Sequence, residues 1–291
     1  RAMLPGYLSR FVADESASAH NRSRIGAMIA AWSDDQCQAV TAELAHLGDE
    51  HRLYRALPFA RELAREWARD VLVEPELSGV EHLAAAAASG PTMLVGNHLS
   101  YFDTTATDAV LTWKGHGDLA DRLVAAAGPK VYQELFRLFA AACLNTLPVP
   151  QSTSFAHTEK LSPRELARKA TESMASSKAL LDAGLLLLVY PEGSRSRTGR
   201  FGPFLRGIHR YLSCTTPLSV VPIAIAGTER VMPVADADTR LFPGRVAIRF
   251  APAIRVGVDG APREALDAAH RAVAALLPEH LRPLASADET A

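Results

Sequence analysis

A histidine and an aspartate five positions apart, His98 and Asp103, are the residues best suited to acid–base chemistry. Residues at this spacing are turned by about 140° in a continuous helix, so the side chains can meet only if His98 lies in a turn and Asp103 begins the next helix. The carboxylate would then accept a hydrogen bond from Nδ1–H and leave Nε2 as a general base. A capping aspartate beside a loop histidine is the alternative that this pair by itself leaves open.

The same spacing occurs again at His116 and Asp121, so spacing alone is weak evidence. The sequence context separates the two pairs. His98 follows the apolar run Thr92–Val95, and α/β enzymes place their chemistry at the ends of such strands. His116 lies in a polar stretch with no strand before it, and we assign it no chemistry.

A second candidate site follows the apolar run Leu185–Tyr190. Between Gly193 and Arg210 the chain has five arginines and no acidic residue: Arg195, Arg197, Arg200, Arg206 and Arg210. The net charge of the whole chain is −1, so this segment is a local cationic patch. Arginine forks beside Gly and Ser amides suit a phosphate group, and a solvated basic loop is the alternative.

The composition excludes several classes of function. Hydrophobic residues make up 48% of the 291 positions, as in globular proteins, and the near-zero net charge argues against non-specific nucleic-acid binding. Three separated cysteines and scattered histidines offer no metal-ligand pattern, so we expect neither a metal nor a bound cofactor. The apolar runs are too short to span a bilayer and no signal-peptide pattern is present, which predicts a cytoplasmic protein, with peripheral contact at the inner face of the membrane as an alternative.

Short apolar runs alternate with helical patterns from Val80 onward. The predicted strands are Thr92–Val95, Leu123–Ala126, Leu185–Tyr190, Val220–Ile225 and Val246–Phe250. The predicted helices are Thr104–Thr112, Tyr132–Ala142, Pro163–Ala183, Arg206–Ser213 and Pro262–Leu277. This alternation predicts an α/β fold with a mixed, largely parallel sheet covered by helices. We expect residues 1–78 to form an N-terminal helical subdomain and residues 79–291 to form the α/β domain.

The predicted helix Pro58–Val71 has an apolar face and a charged face. Phe59, Leu63 and Trp67 share the apolar face, and Arg61, Arg65 and Arg69 flank it. Packing against the core is the first interpretation. The second is a weak, salt-sensitive contact with a membrane surface, which the interspersed acidic residues would limit.

Three of these segments resemble sequence blocks of the glycerol-phosphate and lysophosphatidate acyltransferases. Asn97–Asp103 resembles the first block, Tyr190–Arg197 the third and Val220–Thr228 the fourth. Their order and spacing also agree, and the similarity covers roughly Val80 to Phe250.

The resemblance implies a role for each matching residue. His98 would be the base and Asp103 the residue that orients it. The acceptor-phosphate site would comprise Glu192, Gly193, Ser194, Arg195 and Arg197, and Pro222 would help to form the acyl pocket. The second block departs from the family pattern, because residues 144–151 contain no arginine. His157 and Lys160, a few residues later, are candidates to replace it.

The resemblance implies direct transfer of an acyl group from an acyl-CoA or acyl-carrier-protein thioester to a hydroxyl of glycerol 3-phosphate or a lyso-lipid. The thioester would be a cosubstrate rather than a bound cofactor. A different lyso-lipid or an amine acceptor is an alternative within the enzymes. A non-catalytic lipid- or anion-binding module on the same fold is the alternative from another class.

Overall fold

The centre of the molecule is a mixed, largely parallel sheet. The structure is a computed structural model, and it describes residues 15–48, 52–150, 162–234, 240–257 and 261–284. Its strands are β1 (Leu72–Ser78), β2 (Thr92–Gly96), β3 (Leu123–Ala127), β4 (Asn145–Pro148), β5 (Leu186–Val189), β6 (Leu218–Ala226), β7 (Gly244–Phe250) and β8 (Ile254–Val256). The spatial order is β1-β7-β6-β2-β5-β3-β4, with β8 also paired to β6. Only the pairings of β6 with β7 and with β8 are antiparallel, so the predicted fold class is confirmed for the described residues.

Helices cover this sheet. They are α1 (Glu15–Ala30), α2 (Asp34–His46), α3 (Pro58–Ala68), α4 (Val80–Ser89), α5 (Asp103–Trp113), α6 (Gly117–Arg122), α7 (Leu135–Ala142), α8 (Pro163–Asp182), α9 (His209–Leu212), α10 (Thr228–Val231) and α11 (Pro262–Leu276). Local sequence explains several of their starts: Ser33 and Ser162 form capping boxes before α2 and α8. Within the described ranges, no helix is both long and apolar enough to cross a bilayer.

The five predicted strands are all present, and the described residues contain three further strands that were not predicted: β1, β4 and β8. β1 contains Pro75 and a left-handed Glu74 (φ 42°), which interrupt the alternation expected of a strand. β4 and β8 have only four and three residues, too few for a periodic signal. β1 pairs in parallel with β7, so the expectation that residues 1–78 are helical is wrong for residues 72–78.

Helix α3 packs into the core instead of facing outward. Leu63 and Trp67 are 0% and 6% exposed, and the Trp67 ring contacts the rings of Phe102 and Phe136. This face is therefore occupied, and the hypothesis that it contacts a membrane is wrong. The amphipathic pattern indicated a buried face, but not which surface would cover it.

The arginines of α3 are also directed inward, toward Asp108 of α5. The Asp108 carboxylate, 2% exposed, lies 2.7 Å from Nη2 of Arg61 and 2.7 Å from Nε of Arg65. Arg61 also donates to the backbone oxygen of Ala120. A buried carboxylate thus attaches helix α3 to the α/β core.

We expect Asp108→Ala to lower the free energy of unfolding by about 3–5 kcal/mol, because it leaves the Arg61 charge buried without its main partner. Asp121→Ala is the matched control: Asp121 contacts the same two arginines, but its side chain is 64% exposed. It should cost less than about 1 kcal/mol. Urea denaturation of both variants measures the difference, and equal losses would contradict this account of how α3 is attached.

Candidate active site

The turn that follows β2 is attached to β6 by Asn97. The buried side chain of Asn97 donates through Nδ2 to the oxygen of Ile225 (2.8 Å) and accepts through Oδ1 from the nitrogen of Ile225 (2.8 Å). These two bonds satisfy backbone groups where β2 and β6 have stopped pairing with each other. The turn therefore leaves the sheet in one defined direction, with His98 as its next residue.

His98 and Asp103 meet in the arrangement that their spacing predicted. His98 lies in the turn, Asp103 is the first residue of α5, and Nδ1 of His98 is 2.8 Å from Oδ2 of Asp103. Oδ2 also accepts the backbone N–H groups of Leu99 (2.8 Å) and Ser100 (3.0 Å). Oδ1 accepts the hydroxyl of Thr228 at 2.5 Å. The carboxylate, 1% exposed, therefore has four donors, and an Nδ1–H tautomer leaves Nε2 as the basic nitrogen.

Tyr190 supports the other side of the His98 ring, and the sequence analysis did not identify it. The two rings stack with centroids 4.4 Å apart and an interplanar angle of 13°. The Tyr190 hydroxyl lies 3.0 Å from Oγ1 of Thr104, and burial raises the pKa of that phenol well above 10. The position of Tyr190, at the start of the third block, was the only signal that could have indicated this contact.

The third block holds the backbone of His98 on both sides. Oε1 of Glu192 accepts the N–H of His98 (2.7 Å), and the oxygen of His98 accepts the N–H of Ser196 (2.8 Å). Oε2 of Glu192 accepts the N–H of Gly202 (2.8 Å). Burial, opposed by these N–H groups, raises the pKa of Glu192 to about 7. Glu192 does not line the cavity described below, so the expectation that it contacts the acceptor phosphate is corrected: it positions the turn.

His98 lines a cavity of about 670 Å³ whose other walls come from α3, α5, α7, α8, β3 and the third block. One part is apolar and includes Leu63, Trp67, Phe102, Phe136 and Phe139. No sequence pattern indicated that α3 would line this space, because the contact joins residues far apart in the chain. A chamber with such walls suits a hydrocarbon chain.

The remaining wall of the cavity is cationic. Its charged residues are Lys130, Arg137, Arg195, Arg197 and Arg210, and no acidic side chain of the described residues lines it. Gly193 and Ser194 line it as well. Gly193 has a φ of 74°, and a Cβ there would collide with Leu205, so this turn requires glycine.

The remaining predicted site residues lie elsewhere. Pro222 is not among the residues that line the cavity; it pairs with Val95 in the middle of the sheet, so the expectation that it forms the acyl pocket is wrong. His157 and Lys160 fall outside the described residues. Among the residues that the structure does describe, no group of three or more His, Cys, Asp or Glu side chains could hold a metal ion.

This chain belongs to the acyltransferase family, because the family model described as Acyltransferase matches residues 75–226, over half of its 291 residues. The resemblance inferred from the three blocks is thereby confirmed. The match ends inside the fourth block, at residue 226, and His98, Asp103 and Arg195 all lie within the match.

Individual relatives point to one branch of this family. A 1-acyl-sn-glycerol-3-phosphate acyltransferase of Cocos nucifera is 30% identical over 115 residues, 38% of this chain and 35% of the relative. The chloroplastic 1-acyl-sn-glycerol-3-phosphate acyltransferase BAT2 of Brassica napus is 35% identical over 66 residues, 23% of this chain and 19% of the relative. The chain thus spans about a third or less of the length of these relatives. PlsC, the 1-acyl-sn-glycerophosphate acyltransferase of Thermotoga maritima, shares the fold: its crystal structure covers 94% of this chain and 95% of its own, with a TM-score of 0.51 and 14% identity.

The raised pKa of Glu192 predicts how stability depends on pH. Unfolded Glu192 ionises near pH 4.5 and folded Glu192 near pH 7, so between these values the folded state binds more protons. Relative to Glu192→Gln, the free energy of unfolding of the wild type should fall by about 3 kcal/mol as the pH rises from about 4.5 to 8. Denaturant titrations across this range measure the difference, and parallel curves for the two proteins would contradict it.

Proposed function

We propose that this protein transfers a fatty acyl group from a thioester to the free hydroxyl of 1-acylglycerol 3-phosphate, with His98 as the general base. The observation that supports it is the position of His98, which lines a cavity whose lining combines apolar side chains with five cations. A lysophosphatidate has this same combination of a hydrocarbon chain and a phosphate. The names of the relatives favour this acceptor over glycerol 3-phosphate.

The proposed reaction is a direct transfer. Nε2 of His98 removes the proton of the acceptor hydroxyl, and the oxygen attacks the thioester carbonyl carbon. The carbon–sulfur bond then breaks, and the imidazolium returns its proton to the leaving thiolate. Asp103 keeps the proton on Nδ1 and stabilises the imidazolium between these steps.

The described side chains near His98 favour direct transfer over an acyl-enzyme. The Ser100 hydroxyl donates to the backbone oxygen of Met232 (3.1 Å) and accepts the N–H of Phe102 (3.1 Å), so it is already engaged. Cys143 lines the cavity, but burial raises the pKa of its thiol, which disfavours the nucleophilic thiolate. The donor is proposed to be an acyl-CoA or an acyl-carrier protein, either of which would place its acyl chain in the apolar chamber.

His98→Ala should reduce turnover by about 10²–10⁴-fold, the usual contribution of a positioned general base. His116→Ala is the matched control, because His116 has the same spacing to an aspartate but does not line the cavity. The assay follows thiol release from an acyl-CoA with and without 1-acylglycerol 3-phosphate. Comparable losses in the two variants, or a burst of thiol release without acceptor, would contradict this mechanism.

We also propose that the protein binds reversibly to membranes through the opening of this cavity rather than through α3. Six of the described residues that line the cavity are exposed and therefore mark its opening. Ala167 lies near the start of α8, and the other five lie on one segment of chain: Ser194, Arg197, Leu205, Gly207 and Arg210. The side chain of Leu205 is 37% exposed there. An apolar residue between cations suits the surface of a bilayer that contains anionic lipids.

The protein should sediment partly with vesicles of equimolar phosphatidylglycerol and phosphatidylcholine, and salt should release most of it, because charges beyond roughly 8–10 Å are screened. Arg210→Glu should weaken this binding. The control is Arg271→Glu, an equal charge change at an exposed position of α11 that does not line the cavity. Equal effects of the two variants would mean that the opening does not face the membrane.

A further inference from the structure

We propose that Arg137 of α7 is the second guanidinium of the acceptor-phosphate site, where it acts together with Arg195 in place of the arginine that the second block lacks. This inference rests on the proposed function and assigns one more residue to the same site. None of the three matching sequence blocks contains Arg137.

Tyr101 brings the two arginines together beside the base. The guanidinium carbon of Arg195 lies 3.8 Å from the centre of the Tyr101 ring, and that of Arg137 lies 4.8 Å from the same centre. The Tyr101 ring also meets the His98 ring edge-on, with centroids 6.2 Å apart. Both guanidiniums therefore lie against one aromatic ring, which in turn contacts the ring of His98. Contact with this ring partly offsets the cost of removing the two cations from water.

The positive charges of Arg137 and Arg195 favour the binding of an anion. Burial lowers the pKa of Arg195, and the nearby charge of Arg137 acts in the same direction, whereas Tyr101 and Asp103 act against it. No acidic side chain of the described residues lines the cavity. Two guanidiniums in such a place are stabilised when a ligand supplies the opposite charge.

The carboxylate that pairs with Arg137 also caps its helix. Glu134 caps α7 by accepting the backbone N–H groups of Phe136 (3.0 Å) and Arg137 (3.2 Å). Its Oε2 forms an ion pair with Nε of Arg137 at 3.4 Å, but among the described residues this buried Nε has no hydrogen-bond partner. A ligand oxygen beside Arg137 would satisfy a donor that the protein leaves open.

The described residues of the second block include no cation that could replace the missing arginine. Its residues Leu144, Thr146, Val149 and Pro150 line the cavity, and none of them is charged. Arg137 reaches the cavity from the helix that precedes this block. A phosphate monoester, which has three terminal oxygens and up to two negative charges, suits two guanidinium forks better than a phosphodiester does.

The test compares Arg137→Met with Arg168→Met in the full-length protein. Arg168 is exposed on α8, pairs with Glu172 and does not line the cavity. Arg137→Met should raise the KM for 1-acylglycerol 3-phosphate by about 10–100-fold, as expected when a charged hydrogen-bond donor is lost, with the KM for acyl-CoA changed by less than about twofold. Arg137→Lys should recover only part of the loss, because it restores the charge without the fork. Arg168→Met should match the wild type.

Binding of 1-acylglycerol 3-phosphate without donor, measured by calorimetry, separates this inference from the proposed function. Weaker binding to a folded Arg137→Met variant supports the inference even if no acyl transfer is found. Unchanged binding and acceptor KM would overturn it while leaving the proposed function intact. A selective rise in the KM for acyl-CoA would also overturn it and would assign Arg137 to the donor phosphates.

Discussion

The buried carboxylate of Asp103 is the constraint on which the site depends. A carboxylate that is 1% exposed must be surrounded by donors, and here they come from separate parts of the chain. The turn after β2 supplies the N–H groups of Leu99 and Ser100 and the ring of His98, and the start of α10 supplies the hydroxyl of Thr228. Satisfying one charge therefore determines where β2, α5 and the segment after β6 stand relative to one another.

The third block contributes to this arrangement in two different ways. Glu192 and Ser196 bind the backbone of His98, and Tyr190 stacks on its ring, so these residues position His98. Arg195, on the same loop, lies over Tyr101 at the cationic wall of the cavity. One short segment thus orients His98 and carries two of the cations that line the cavity, Arg195 and Arg197.

The N-terminal helices are part of the catalytic domain in a physical sense. Asp108 holds Arg61 and Arg65 of α3, and the opposite face of that helix places Leu63 and Trp67 on the apolar wall of the cavity. Ion pairing on one side of α3 and hydrocarbon packing on the other therefore support the same chamber. Loss of this attachment would disturb the cavity as well as the stability of the protein.

The sequence by itself was sufficient to predict the fold class and five strands, and it identified His98 and Asp103 as a pair that could meet across a turn. These depend on local information: alternating apolar runs, and a spacing that only a turn followed by a helix can accommodate. It did not reveal β1, where Pro75 and a left-handed Glu74 hide the strand pattern. It also assigned Glu192 to the substrate, because a motif does not show which way a side chain points.

Only the tertiary structure decided what lines the cavity. Trp67 and Arg137 come from α3 and α7, and no periodicity connects these positions with each other or with His98. The same holds for Pro222, whose place in the middle of the sheet follows from its pairing with Val95. Local pattern specifies elements and short-range contacts, whereas a binding site depends on how distant elements pack and on which buried charges must be satisfied there.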